Sequence, residues 1–177
     1  MKTTLFALAC LLWGWLALGS FTAAQQQDIP AIQAPDTGPQ TGLPLPRFVA
    51  LKVKKGNMRA QPSTQHAILF TYLRAGLPMK VLRERGDWRL VEDHDGTQGW
   101  MKNTILTNDR TFRIMAPLAN LYRRADLTSP VHAQLETGVI GDLHTCRADG
   151  WCRGSVGQVS GWIRANDIWG VLPDEVF

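Results

Sequence analysis

The chain has 177 residues and carries a formal net charge of only +4 at pH 7. So mild a charge argues against a nucleic-acid partner, which calls for a strong basic patch together with stacking aromatic side chains. The densest basic cluster is Lys52, Lys54 and Lys55. A solvated surface strand explains this cluster as well as association with an anionic envelope polymer does.

Residues 1–24 have the pattern of a secretory signal peptide. Lys2 is the only charge, an apolar run follows from Leu5 to Leu18, and small residues lead up to Ala24. The run is shorter than the roughly 20 residues that a membrane-spanning helix needs. We therefore expect cleavage near Ala24, a periplasmic or secreted protein, and no stable membrane span after processing; an uncleaved anchor is the alternative.

Residues 25–46 are predicted to form a Pro/Gln-rich linker. This stretch holds half of the ten prolines and little apolar surface that could form a core. Such a composition stays extended or disordered, because too little buried area offsets the ordering entropy, and Pro-rich linkers act as semi-rigid spacers. The alternative is a proline-rich ligand for some partner, although no clear P-x-x-P repeat is present.

The rest of the chain contains an internal repeat. The stretch Gly86–Trp100 returns, altered, as Asp149–Trp162, and each copy has a Trp, a short apolar run, a Gly-bearing turn and a Gly-Trp pair. Landmarks upstream of each copy keep their order, so we predict two homologous units, 47–108 and 111–172, with a tail to residue 177. Two copies are too few for a solenoid. Units of this size are marginal alone, and we expect them to lie close enough to dock.

The pattern within each unit predicts an all-β fold. Short runs rich in β-branched and aromatic residues alternate with turn residues at a spacing typical of small β-barrels. Asp95-Gly96 is a hairpin turn signal, and no window of the mature chain has convincing helical periodicity. We interpret 57–65 and 120–128 as loops, and 103–106 and 165–169 as short helical turns.

Each unit also carries short motifs of a recognisable kind. In the first unit they are N-x-R-x-x-P-S-T at 57–64, G-D-W at 86–88 and D-G-x-x-G-W at 95–100. In the second they are W-C at 151–152, G-W-I at 161–163 and I-W-G-V at 168–171. Together these motifs resemble the bacterial SH3-like domain family. The resemblance covers about 47–177 and implies two tandem SH3-like β-barrels.

The same resemblance implies a ligand-binding groove between the 57–65 loop, or its counterpart, and the next hairpin. The first groove is closer to the family pattern, because Arg59 and Ser63 of its loop are replaced by Tyr122 and Asp126 in the second unit. The second unit is therefore interpreted as a possible docking partner rather than a second site. The candidate ligand-binding residues are Asn57, Arg59, Ser63, Tyr72, Trp88 and Trp151.

Four tryptophans occupy equivalent places in the two units: Trp88, Trp100, Trp151 and Trp162. An inward Trp is good core material for a small barrel, and the Gly before Trp100 and Trp162 suggests close approach of a neighbouring backbone. We interpret Trp100 and Trp162 as structural. For Trp88 and Trp151, which follow directly on a turn, a core role and a groove-lining role both stay open.

Cys146 and Cys152 are predicted to form a disulfide. They flank a short loop between predicted antiparallel strands, where facing residues have Cα atoms close enough to be bridged. An ungapped alignment places them on Arg83 and Arg89 of the first unit, which suggests that both cysteines point outward while Trp151 points inward. Facing cysteines in an exported protein should oxidise.

A search for catalytic or metal-binding residues finds little. Cys146 and His144 lie two positions apart, on one face of a predicted strand, and offer the thiolate–imidazole pair of a small hydrolase. With His132 and Cys152 they offer zinc-binding atoms, but without a typical ligand spacing. The acidic stretch 92–95 is interpreted as a solvated turn, and no phosphate-binding loop or hydrolase motif is present. We expect no enzyme, no cofactor and no metal.

Three functional hypotheses remain. The first, implied by the resemblance, is a non-catalytic exported binding module of the cell envelope, whose partner is peptidoglycan, its stem peptides or another envelope component. The second is a protein–protein interaction adaptor in the periplasm, which uses the groove or the linker to bind an envelope protein. The third is a small Cys-His hydrolase.

Overall fold

The computed structural model of the chain describes residues 37–177, which form two seven-stranded antiparallel sheets in tandem. Fourteen strands and two single-turn 3₁₀ helices make up this part of the chain, in agreement with the all-β prediction. Between residues 37 and 177 no helix has the length and hydrophobicity to cross a membrane. The predicted signal peptide and the first part of the predicted linker lie outside the described residues.

Each repeat builds one barrel with the same strand order. The first barrel consists of β1 Arg47–Leu51, β2 Gly56–Arg59, β3 Ile68–Tyr72, β4 Pro78–Arg85, β5 Trp88–Glu92, β6 Gln98–Lys102, a 3₁₀ turn Asn103–Ile105 and β7 Leu106–Thr107. The second consists of β8 Thr111–Ile114, β9 Leu118–Tyr122, β10 Val131–Glu136, β11 Ile140–Cys146, β12 Trp151–Val156, β13 Val159–Arg164, a 3₁₀ turn Ala165–Asp167 and β14 Ile168–Trp169. The orders β3-β2-β6-β5-β4-β1-β7 and β10-β9-β13-β12-β11-β8-β14 match position by position. The prediction of two homologous all-β units is confirmed.

The two stretches predicted to be loops are in part strands. β2 and β9 cover their first residues and pair with β3 and β10, so the loop prediction is wrong there. Met58 and Leu121 are fully buried, whereas Asn57 and Tyr122 beside them are only half-buried. A short polar strand with one buried side chain gives too weak an alternation to be distinguished from a loop in the sequence.

Each barrel has its own core of aliphatic, aromatic and sulfur-containing side chains. The first is centred on Met58, Met79, Val81, Val91 and Met101, and the second on Phe112, Ile114, Leu121, Leu143 and Ile163. The expectation of an inward Trp is wrong in both barrels. Trp88, Trp100 and Trp162 are half-buried on the outer face of the sheets, and Trp151 is buried on that face by other side chains.

The glycine of each Gly-Trp pair admits a neighbouring strand, as predicted. A Cβ atom on Gly99 would overlap the Met58 side chain of β2, and one on Gly161 would lie 2.6 Å from the carbonyl oxygen of Tyr122 in β9. Both contacts are tighter than a real side chain tolerates. β2 and β9 can therefore close their barrels only where the facing strand carries glycine.

Residues 37–46, which we call the strap, fold back on the first barrel and do not form an extended linker. Thr37 and Pro44 make an isolated β-bridge, and Leu45 joins the first core. The linker prediction fails for this part of the chain, because composition does not show the acceptor that the strap finds on Glu84 of β4.

Glu84 holds the strap in place. Its buried carboxylate accepts hydrogen bonds from the backbone N–H groups of Gln40 and Thr41, both at 3.0 Å, and from Thr41 Oγ1 at 2.7 Å. It also pairs with Arg47 Nη2 at 2.8 Å and with Arg89 Nε at 3.4 Å. Burial alone would raise the pKa of Glu84, but these hydrogen bonds and the charge of Arg89 outweigh burial and lower the pKa from 4.5 to about 2.

A disulfide joins Cys146 and Cys152, as predicted, with Cα atoms 4.1 Å apart. Both cysteines are buried, so the expectation that they point outward is wrong. The ungapped alignment is wrong by one residue at Cys146, because the β11–β12 turn is one residue longer than the β4–β5 turn. Cys146 is equivalent to Glu84 rather than Arg83, and the facing pair Cys146–Cys152 corresponds to the facing pair Glu84–Arg89. A covalent bond in the second barrel thus stands where the first has a buried ion pair.

The C-terminal tail covers the corresponding end of the second barrel. Arg110, just before β8, is the counterpart of Arg47 at the start of β1. Its guanidinium donates to the two carboxylate oxygens of Glu175 at 2.7 and 2.9 Å. Phe177 exchanges backbone hydrogen bonds with Cys146 at 3.1 and 3.3 Å. In both barrels an arginine–carboxylate pair lies where chain outside the strand repeat packs against the sheet.

The two barrels dock through Trp169 of β14. Its ring meets Phe48 of β1 edge-on, with centroids 5.1 Å apart, and its Nε1 donates to the carbonyl oxygen of Pro78 at 3.3 Å. The Lys80 ammonium lies 4.9 Å from the centroid of the Trp169 ring. Phe48 alternates away from the first core and yet is only 4% exposed, because the second barrel covers it.

Trp169→Ala should uncouple the barrels and lower the free energy of unfolding by about 2 kcal/mol, less than the loss of a fully buried Trp, since this ring is only half-buried. Trp169→Phe keeps an aromatic ring against Phe48 and should lose less. Urea unfolding of both variants and the wild type measures the difference. Equal stability of all three proteins would show that the barrels are independent of each other.

Acid should destabilise the first barrel through Glu84. A carboxyl whose pKa falls on folding stabilises the protein above its unfolded pKa, and this stabilisation is lost as the pH drops towards the folded pKa. For Glu84 the window runs from pH 4.5 to about pH 2. The urea midpoint should therefore fall more steeply with pH in the wild type than in Glu84→Gln. Parallel pH dependences of the two proteins would contradict this assignment.

Candidate functional site

An open groove on the first barrel brings together three of the predicted ligand-binding residues. Asn57 and Arg59 of β2 and Trp88 of β5 line a groove of about 210 Å³. Strand alternation explains their position, since Met58 between the first two points into the core and leaves its neighbours on the outer face. The remaining lining residues are Lys55, Thr64, Lys102 and Ile105.

The groove is cationic around an aromatic floor. Lys55, Arg59 and Lys102 line it beside Trp88, with no carboxylate among its lining residues. Lys102 Nζ lies 5.8 Å from the centroid of the Trp88 ring, within the range of a cation–π contact. Arg59 is held in place because its Nη1 donates to the carbonyl oxygen of His66 at 2.7 Å. Such a site suits a ligand that combines an anionic group with an apolar part.

Asn57 adds a neutral donor to this site. Thr71 Oγ1 of the neighbouring strand donates to Asn57 Oδ1 at 2.9 Å and so orients the side-chain amide. Among residues 37–177 no hydrogen-bond acceptor is paired with Asn57 Nδ2, and its two N–H groups are free for a ligand carbonyl or carboxylate.

Ser63 and Tyr72 do not line the groove. Ser63 Oγ accepts a hydrogen bond from the backbone N–H of Gln65 at 3.2 Å and shapes the loop, while its neighbour Thr64 lines the groove. The Tyr72 hydroxyl donates to Asp93 Oδ2 at 2.6 Å. Burial, followed by this hydrogen bond and the charge of Asp93, raises the pKa of Tyr72. Tyr72 is therefore tied to the β5–β6 turn.

The equivalent groove on the second barrel is filled by the protein's own side chains. Tyr122 has the same position in the second barrel as Arg59 in the first. Tyr122 pairs with Trp162, and Arg59 pairs with the equivalent Trp100. Its ring packs edge-on against Trp151 at 5.5 Å between centroids. Trp151 is consequently only 5% exposed and is not accessible as a ligand-binding residue in this arrangement.

Two further contacts hold this closed arrangement. The Arg164 guanidinium, at the position of Lys102, lies 4.9 Å from the centroid of the Trp151 ring. Asn120 Nδ2 donates to the Tyr122 hydroxyl at 3.2 Å. The hypothesis that the two grooves differ, based on the exchange of Arg59 for Tyr122, agrees with the geometry: one is open and the other is covered.

The alternatives based on cysteine chemistry are wrong for this structure. Cys146 is bonded to Cys152, which leaves neither sulfur free as a nucleophile or a zinc ligand. Cys146 and His144 do not share a face, because a register shift between Leu143 and Thr145 leaves His144 exposed while Cys146 is buried. The His144 ring bonds Ser155 Oγ at 2.9 Å instead.

The acidic turn of the first barrel is structural rather than merely solvated. Asp93 is buried and accepts hydrogen bonds from the backbone N–H groups of Asp95 and Thr97 at 3.0 and 2.9 Å. The groups of Asp93, His94 and Asp95 lie close together, but the Asp93 carboxylate is already occupied by these bonds and by Tyr72.

Sequence reasoning missed four residues that line the groove. Lys102 and Ile105 come from the end of β6 and the 3₁₀ turn, and only the strand register, which pairs Lys102 with Trp88, reveals this neighbourhood. Lys55 belongs to the basic cluster of the sequence, yet only this member of the cluster lines the groove. Thr64 follows the predicted Ser63 in the same loop.

Comparison with protein families matches the bacterial SH3 domain twice, at residues 52–107 and 116–170. No curated protein matches the chain. Two solved structures from Trichomonas vaginalis are partly similar: NlpC2, with 10% identity, a TM-score of 0.34 and coverage of 70% of this chain and 48% of the other, and NlpC1, with 11% identity, a TM-score of 0.33 and coverage of 70% and 45%. The chain thus spans about half the length of these two proteins.

Removal of the Tyr122 ring should open the second groove. Tyr122→Ala uncovers Trp151 and should increase the quenching of tryptophan fluorescence by acrylamide. Tyr122→Phe keeps the ring over Trp151 and loses only the hydroxyl, so its quenching should equal that of the wild type. Identical quenching in both variants would contradict the assignment of Tyr122 as the residue that closes this groove.

Proposed function

The chain belongs to the bacterial SH3 domain family, and from this premise we propose that it is a non-catalytic, exported binding module of the cell envelope. Its ligand is peptidoglycan, and the part recognised is a carboxylate-bearing stem peptide. The open groove of the first barrel is the binding site. Asn57, Arg59 and Trp88 are its central residues, with Lys55 and Lys102 at its sides.

The observation that supports this proposal is the set of three cations around an accessible Trp, without a carboxylate among the lining residues. Stem peptides carry free carboxylates next to small aliphatic side chains. Arg59 offers a planar fork that binds a carboxylate through two hydrogen bonds. The Trp88 ring gives the aliphatic part a surface, and the Asn57 amide can bind a peptide carbonyl.

Export and the absence of catalysis are supported by the second barrel. A disulfide such as Cys146–Cys152 persists in an oxidising compartment, in agreement with a periplasmic or secreted location. The same bond removes Cys146 as a nucleophile. The first barrel offers an anion site but no activated nucleophile beside a base, which favours binding over hydrolysis. No cofactor and no nucleic acid enter this proposal.

The adaptor hypothesis is the second candidate, and β3 favours it. This strand lies at the edge of its sheet, and three of its apolar side chains, Ile68, Leu69 and Phe70, are 46–51% exposed. Nearby Leu73 is 74% exposed. An exposed apolar edge strand can pair with an extended segment of another protein. An envelope protein would then be the partner, and β3 rather than the groove the contact.

If peptidoglycan is the ligand, residues 25–177 should co-sediment with purified peptidoglycan sacculi. The double variant Arg59→Ala, Trp88→Ala should bind at least about tenfold more weakly, because truncated Trp and Arg anchors typically cost more than 1 kcal/mol each. Arg83→Ala, at an exposed arginine of the same barrel that pairs with Leu90 and does not line the groove, serves as the matched control and should bind like the wild type.

Two outcomes would contradict the proposal. Sedimentation of the wild type no greater than that of an unrelated protein at low salt would reject peptidoglycan as the ligand and favour the adaptor. Equal binding by the double variant and by Arg83→Ala would reject the groove as the site. Circular dichroism of each variant confirms that the loss is not one of folding.

A further inference from the structure

A second cationic pocket lies on the second barrel, on the outer face of β12 and β13. It encloses about 240 Å³ and does not include the covered Trp151. We call it the Trp162 pocket. Its lining residues are Arg123, His132, Arg153, Ser160, Gly161 and Trp162.

Strand register brings these residues together. Arg153 of β12 lies directly opposite Trp162 of β13, and both alternate away from the core residues Cys152 and Ile163. Arg123 follows β9 at the same edge. His132 of β10 is anchored because its Nδ1 lies 3.0 Å from the carbonyl oxygen of Ser160, so the other ring nitrogen is left for a ligand.

Arg123 and Arg153 make neither an ion pair nor a contact with an aromatic ring among residues 37–177, whereas two other arginines of this barrel do. Arg147 pairs with Asp149 at 2.8 Å, and Arg164 stacks on Trp151. Arg123 and Arg153 are both exposed, and no acidic residue lines the pocket. The Arg147 guanidinium, which does not line the pocket, lies 5.7 Å from the centroid of the Trp162 ring. Within the pocket, the half-buried Trp162 lies beside two guanidinium groups that have no ion-pair partner among the described residues, outside the core of the barrel.

The first barrel has no counterpart of this pocket. Leu90 has the same position in the first barrel as Arg153 in the second. Leu90 pairs with Trp100, and Arg153 pairs with the equivalent Trp162. The residue after β2, at the position of Arg123, is Ala60. The two barrels therefore carry cationic sites at different places on the same scaffold.

We propose that the Trp162 pocket binds a sugar ring that carries an anionic group. The indole face of Trp162 packs against the apolar C–H face of the sugar, which buries apolar area on both sides. Arg123 and Arg153 bind the carboxylate or phosphate by charge-assisted hydrogen bonds. Ser160 and His132 offer polar groups to the sugar hydroxyls. This site is independent of the groove on the first barrel and does not rest on the function proposed for that groove.

The test follows the indole N–H resonance of Trp162 in ¹⁵N-labelled protein, assigned by its loss in Trp162→Phe. The probes are glucuronate, glucose 6-phosphate, uncharged glucose and inorganic phosphate. A saturable shift of this resonance with glucuronate or glucose 6-phosphate is expected, and the stronger of the two identifies the anionic group. Glucose alone and phosphate alone should cause no comparable shift. No shift with either anionic sugar, or an equal shift with glucose or phosphate, would overturn the proposal.

Variants separate this pocket from the other groove. The double variant Arg123→Gln, Arg153→Gln should bind the anionic sugar with an affinity at least about tenfold lower, because it loses charge-assisted contacts. Arg59→Gln, which alters only the first groove, should bind the sugar as the wild type does. Unchanged binding in the double variant would show that the arginines do not hold the anion and would overturn the assignment, whatever the outcome of sedimentation with sacculi.

Discussion

Both barrels depend on the close approach of a short polar strand to a glycine. β2 passes over Gly99 and β9 over Gly161 at distances that exclude any side chain on those glycines. This contact closes each sheet and fixes the alternation of the crossing strand. Met58 or Leu121 turns inward to the core, and Arg59 or Tyr122 turns outward beside a Trp. The outward positions of Asn57 and Arg59 in the candidate groove follow from this constraint.

On this common frame the two barrels have diverged at a few equivalent positions. Where the first barrel has Arg59 and an open, cationic groove, the second has Tyr122 and a Trp covered by it. Where the first has the buried Glu84–Arg89 pair, the second has a disulfide. A buried carboxylate needs several donors to offset desolvation, and the strap supplies three of them beside the two arginines. The disulfide makes no such demand, and a backbone pairing with Phe177 lies there instead.

The sequence contains enough to predict the repeat, the all-β fold, the Gly-Trp contacts and the disulfide, because each leaves a local pattern. It does not show β2 as a strand, since Met58 is the only fully buried side chain among four residues. Period-two alternation does not say which face of a strand is the core, so the sequence leaves both a core role and a groove-lining role open for Trp88 and Trp151. Lys102 and Thr64 enter the groove only through register and loop shape. The one-residue difference between the β4–β5 and β11–β12 turns shifts the alignment of the cysteines, and only the strand pairing reveals it.

The central claim is that one outward position on β2 or β9 decides whether a groove is open. The direct measurement is binding of Arg59→Tyr and of Tyr122→Arg to purified sacculi, with the stability of each variant measured alongside. The account predicts that Arg59→Tyr stays folded and loses binding, because the new ring covers Trp88 as Tyr122 covers Trp151. Tyr122→Arg should keep the binding of the wild type or exceed it. Full binding by a folded Arg59→Tyr would contradict the account.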